Sequence, residues 1–172
     1  MTAAIACVLP AYSFSLTKPS QLQVRSRIVD LEAAMRARPD QFDPECKAFP
    51  VRHFKAPGMV ARQMLIPKGM LIVGKIHKHA HLNHITYGHV KVETEHGSRE
   101  IKGPDTFTSE VGTKRAVVAL EDTLWTTFHL NPNNYDPENE DDMKKFEAEI
   151  IAKSYDELPA PASHKEVKEV AA

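Results

Sequence analysis

The sequence predicts a mainly β protein, a single closed antiparallel sheet with one helix before it and one after it. Three observations carry this prediction. Between Val51 and Asn131 the apolar residues fall in short or alternating runs that Pro and Gly interrupt about every ten residues, the texture of successive strands. Ahead of that stretch, Val24, Ile28, Leu31 and Met35 recur at helical spacing. Beyond it, Met143, Phe146 and Ile150 do the same.

In chain order, residues 1–19 form an arm without sustained periodicity, punctuated by Pro10 and Pro19. Residues 20–50 hold the first helix and a linker. Ser20 with Gln23 three residues later makes a capping box, and Pro39 ends the run. The far side of that helix carries Arg25, Arg27, Glu32, Arg36 and Arg38, expected to be a solvated face. In the barrel, residues 51–131, strands are expected over Val60–Ile66, Met70–His81, His89–Glu95, Thr106–Ser109, Ala116–Leu120 and Leu124–Leu130. Turn chemistry separates them at Pro67-Lys68-Gly69, Tyr87-Gly88, His96-Gly97-Ser98, Gly103-Pro104-Asp105, Val111-Gly112-Thr113 and Glu121-Asp122-Thr123. Within residues 132–158 the second helix is expected over Glu138–Lys153, with acidic residues at its start and Lys153 at its end, as the helix dipole favours. Residues 159–172 read as a mobile tail.

The bulk composition narrows the class. A chain of 172 residues, 42% apolar and 26% charged, suits one soluble globular domain. Lys plus Arg (22) nearly balance Asp plus Glu (23), so no net field draws the protein to nucleic acid or to an anionic membrane. No run approaches the ~20 apolar residues that span a bilayer. Ala3–Ala11 is short, lacks a basic start and contains Pro10, which makes a poor secretory signal. Cys7 and Cys46 lie far apart, consistent with a reducing cytoplasm.

The densest chemical signal is Gly74-Lys75-Ile76-His77-Lys78-His79-Ala80-His81-Leu82-Asn83-His84, with four of nine histidines. On one strand, His77, His79 and His81 project to the same face, about 7 Å apart from neighbour to neighbour. Two adjacent imidazoles then reach one metal ion at distances near ~2.1 Å. A further ligand must come from another strand, and His129 is the best candidate by type. The competing reading is an interior polar network, or a wet barrel mouth that binds nothing. His84 has the opposite parity, and His53, His89, His96 and His164 stand alone. Trp125 with Phe107 and Phe128 reads as core or barrel surface rather than a platform for stacking a ligand. Lys114, Arg115, Lys102 and Arg99 form either a basic rim for an anion or a solvated face. No phosphate-binding glycine loop, activated nucleophile setting or paired CxxC is present.

These residues resemble the cupin superfamily, small jelly-roll β-barrels with two histidine-bearing motifs. Gly69 or Gly74 precedes His77-Lys78-His79, and Gly88 closes the first motif. Gly103-Pro104-Asp105 followed by Glu110-Val111-Gly112-Thr113-Lys114-Arg115 resembles the second. The resemblance implies a cupin-like barrel and a divalent transition metal, Fe, Mn, Ni or Zn, held by His77, His79, His81 and His129. Two departures stand out. The motif's glutamate position falls near His81 or Leu82, and Arg115 occupies its second histidine position. Arginine stays protonated and cannot ligate a metal, but it can hold an anionic group. The strings GKIHKH, GTKRA and EDTLWTTFH look like small cupin-like proteins of tailed bacteriophages. That likeness implies synthesis in a host cytoplasm and an accessory or virion-associated role, with the extensions docking on further copies of the chain or on other protein subunits. The alternative is a metal-dependent dioxygenase, isomerase or lyase in which Arg115 orients a small anionic substrate.

Overall fold

The computed structural model describes residues 19–38 and 51–158. Residues 1–18 of the arm expected over 1–19, the linker 39–50 and the tail from residue 159 lie outside the described residues, and Cys7, Cys46 and His164 lie there too.

Helix α1 (Gln21–Arg36) begins where the sequence places it. The Ser20 side chain accepts from the Gln23 backbone, and the Gln23 side chain accepts from the Ser20 backbone, closing the capping box. The chain then builds β1 (Val51–Ala56), β2 (Gly58–Ile66), β3 (Leu71–Val73), β4 (Ile76–His77), β5 (His81–Tyr87), β6 (His89–Thr94) and β7 (Gly97–Lys102). It continues through β8 (Asp105–Ser109), β9 (Ala116–Ala119), β10 (Thr123–Asn131), helix α2 (Glu140–Ile150) and β11 (Ile151–Ala152). The strands form a five-stranded antiparallel sheet β1-β2-β10-β5-β8, a four-stranded sheet β3-β9-β6-β7 and the small pair β11-β4.

The core sits between the two large sheets. Ile66, Ile85 and Trp125 from one meet Val90, Val92, Ile101, Val117 and Ala119 from the other. Alternation sets which residues enter it: along β5, His81, Asn83 and Ile85 are buried while Leu82 and Thr86 face out. The cross-strand register then stacks the interior of the five-stranded sheet in layers. Ile85 lies opposite Trp125, and Trp125 opposite Met64, in the apolar layer. Phe107, Asn83, Thr127 and Arg62 share the next, polar layer. One step further, Ser109 pairs with His81, and His129 with Val60. By the same alternation Trp125 joins the core and Phe128 takes the outer surface of the barrel. Gly88 turns β5 into β6 at φ +104°, and a Cβ there would run into Asp122 and Thr123, so only glycine fits.

Several elements differ from expectation. Met70–His81 is not one strand. The chain leaves the four-stranded sheet after β3, forms the short β4 against β11, loops over residues 78–80 and joins the five-stranded sheet at His81. Gly74 marks this corner, with its N–H donating to the Arg115 carbonyl. Strands β5, β7 and β1 were not anticipated, because their apolar residues are interleaved with charged and polar ones on the outer face. Helix α2 is shorter than predicted and starts after the Asn139 cap, whose side chain accepts from Asp141 and Asp142. It ends at Ile150 because the next residues pair with β4, which leaves Lys153 outside the helix.

The charged side of α1 is also not simply solvated. Arg25 pairs with Glu95 at 2.8 Å and lies over the Tyr155 ring, while Glu32 pairs with the buried Lys114 at 2.6 Å. These contacts hold the helix against its own barrel. Among the described residues, no helix is long and apolar enough to cross a membrane.

Candidate metal centre

Three strands deliver one histidine each to a common point. His77 comes from β4, His81 opens β5 and His129 lies near the end of β10. Extending the β10–β5 register by one pair beyond Phe128–Leu82 sets His129 opposite His81, and their ring centroids are 4.6 Å apart. His77 lies 4.2 Å from His81 and 5.0 Å from His129 by the same measure. One nitrogen from each ring can be chosen so that all lie within 4.8 Å of one another. Two nitrogens bound to one ion at ~2.1 Å are at most about 4.2 Å apart, so small ring rotations close the set.

His77 is the member held from outside the barrel. Its backbone pairs with Ile151 of β11, its carbonyl accepts from Gly112, and the next N–H, of Lys78, donates to the Ile150 carbonyl. The helix that precedes β11 packs Phe146 and Ile150 onto Val60, and Phe146 meets the His129 ring edge-on at 6.4 Å. The C-terminal segment thus closes the barrel end where the histidines gather.

All three imidazoles are kept neutral. Burial pushes His77 down to about 2, with further lowering from His81, His129, Arg115 and Arg62. Burial likewise lowers His129 to about 3 and His81 to about 4, with His81 and Arg62 acting on the former and Arg115 on the latter. Neutral imidazole is the ligating form. His81 Nδ1 makes a long 3.5 Å contact with the His79 carbonyl, and His129 Nε2 lies 3.1 Å from Thr127 Oγ1. His77 Nδ1 is buried with no hydrogen-bond partner. In the tautomer that leaves His77 Nδ1 unprotonated, its orphaned lone pair beside two more neutral imidazoles is what a metal ion would satisfy, so the residues present fit the group.

His79 does not join this cluster. It is exposed in the loop between β4 and β5, because the chain bends there and strand parity does not run through from His77 to His81. Elsewhere, His84 is bonded to Thr106 Oγ1 at 2.8 Å, and His89 faces Glu100 at 3.0 Å.

Arg115 sits one layer below the histidines, where its guanidinium donates to Asn83 Oδ1 at 3.2 Å and to Ser109 Oγ. Asn83 is fully buried; it also accepts from Trp125 Nε1 at 3.1 Å and donates to Ser109 Oγ at 2.7 Å. Sequence reasoning missed Asn83 and Ser109. The alternation of His81, Asn83 and Ile85 ahead of the Tyr87-Gly88 turn was the available signal.

Fold and site together define a small two-sheet β-barrel protein with a buried three-histidine cluster. No protein-family model and no curated protein matches the chain. Among solved structures it is similar to KdgF from Halomonas sp., with 20% identity over 50% of this chain and 81% of that one, at a TM-score of 0.43. It is also similar to a cupin domain from Bordetella pertussis, with 12% identity over 48% and 93% of the two chains and a TM-score of 0.40. An oxalate decarboxylase mutant from Bacillus subtilis aligns at 17% identity over 54% of this chain and 27% of that one, at a TM-score of 0.44. Each likeness spans about half of this chain, and the site stands on its own geometry.

Proposed function

We propose that the protein binds one divalent transition metal ion through His77, His81 and His129, and that its activity depends on that ion. The observation that carries this reading is the convergence of three buried, neutral imidazoles from three strands, one with an orphaned nitrogen. Three protein ligands leave part of a four- to six-coordinate sphere open to a ligand, the arrangement of catalytic rather than structural sites. A bound ion would supply Lewis-acid polarisation of a ligand oxygen. The chain's own part is to fix the three rings, hold them neutral and pack Phe146 edge-on against His129.

The accessory role suggested by the sequence rested on a lost ligand at position 115 and on extensions free to dock elsewhere. The histidine cluster forms without position 115, and the described parts of both extensions pack on their own barrel.

The test is elemental analysis of purified protein together with calorimetric titration of the chelator-treated protein with Zn2+, Mn2+, Ni2+ and Fe2+. One ion per chain is expected for at least one of them, lost in the His81→Ala plus His129→Ala variant and retained in His79→Ala. Absence of bound metal and of any titration signal would overturn the reading.

A further inference from the structure

Arg115 presents an electrostatic problem that the chain itself does not solve. Its guanidinium is largely buried between the sheets, yet its hydrogen-bond acceptors, Asn83 Oδ1 and Ser109 Oγ, are neutral. Among the described residues no carboxylate pairs with it. A second guanidinium stands nearby instead. Arg99 on β7 lies opposite the buried Val92, so it points inward, and its Cζ sits 4.4 Å above the Phe107 ring. Arg115 Cζ is 5.9 Å from that same ring and 5.7 Å from Trp125. Two like charges at one aromatic floor repel, and the proximity of Arg99 adds to burial in pushing Arg115 down to about 10.

The space beside the two guanidiniums is open. A cavity of about 280 Å³ lies between β6, β7 and β8, lined by Arg99, Arg115, Phe107 and Val92 and by the hydroxyl residues Ser98 and Thr108. Glu110 also lines it, but it is exposed and paired with neither arginine. Cavity and histidine cluster meet at one wall, since Ser109 is the strand partner of His81.

We propose that this cleft binds the carboxylate of a small organic acid between Arg99 and Arg115, with or without metal on the histidines. A guanidinium fork matches a carboxylate in plane and spacing, and a buried charge without a counter-charge is costly until an anion arrives. The apolar walls at Phe107 and Val92 accept the acid's carbon body, and the hydroxyls accommodate its further oxygens. The sequence had offered Lys114 and Lys102 as part of the same basic rim. Lys114 is instead spent on Glu32 and the Gly74 carbonyl, and Lys102 projects outward.

The experiment uses the full-length, chelator-treated protein. Benzoate, succinate, neutral benzamide and inorganic phosphate are titrated in, with the fluorescence of Trp125, the single tryptophan, as the readout. Saturable binding of at least one acid, weakened by salt and absent for benzamide, is expected. Arg99→Gln should weaken it about tenfold or more, the loss of a hydrogen bond to a charged group. Because Arg99 is exposed and has no hydrogen bond to another described residue, this variant keeps its fold where Arg115→Gln risks losing it. The His81→Ala plus His129→Ala variant should still bind the acid, which separates a failure here from a failure of the metal reading. Binding of neither acid, equal binding of benzamide, an unchanged Arg99→Gln affinity, or phosphate binding without acid binding would each overturn the proposal.

Discussion

Acidifying the metal-free protein from about pH 7.5 to about pH 5.5 should cost it about 4 kcal/mol of stability. In the unfolded chain His77, His81 and His129 each take up a proton near the ordinary value of 6.5; in the folded chain they stay neutral until about 2, 4 and 3. A group whose folded value is depressed contributes stability that is present above the unfolded value and lost as pH falls below it. The window therefore opens near 6.5 and extends down to about 4, where His81 first protonates in the fold. Each group costs roughly 1.4 kcal/mol for each pH unit below its unfolded value, so three together cost about 4 kcal/mol one unit down. Against a total of about 5–15 kcal/mol for an ordinary domain, that is a large fraction. His53, also lowered by burial, acts in the same direction. The assay is urea denaturation at a series of pH values in the presence of chelator, repeated on the His81→Gln plus His129→Gln variant. That variant should lose about two thirds of the part of the slope that the three clustered rings supply, because two of their three equal contributions are gone. A change below about 1 kcal/mol over this interval, or an unchanged slope in the variant, would refute the argument that burial keeps these rings neutral.

Further outcomes follow from the same packing. Asn83→Ala removes the acceptor of Arg115 and Trp125 and one donor to Ser109, and should destabilise the fold by about 1–3 kcal/mol, the cost of leaving buried donors without their acceptor. Chemical denaturation measures it, and a loss below about 1 kcal/mol would mean that water replaces the amide there. Phe146→Ala should cost about 3–5 kcal/mol through the cavity left against Val60, and should also weaken metal binding by loosening β11 and hence His77. Unchanged metal affinity in that variant would show that α2 plays no part in holding His77.

Much of this molecule was legible in one dimension. The capping box of α1, the mainly β middle and the apolar stripe of α2 depend on local spacing and turn chemistry, which a sequence displays directly. The histidine-rich segment and the wish for a partner ring on a distant strand were also visible, since residue type alone names imidazole as a ligand.

Which histidines meet was decided only by the tertiary structure. Strand parity holds while a strand continues, and between His77 and His81 it does not. A corner at Gly74, a pairing with β11 more than seventy residues downstream and a three-residue loop send His79 outward and bring His77 and His81 together. The same holds for Arg25, Glu32 and Arg115. Their residue types suggested a wet surface, but their partners Glu95, Lys114 and Asn83 are set by sheet order, which no local pattern encodes.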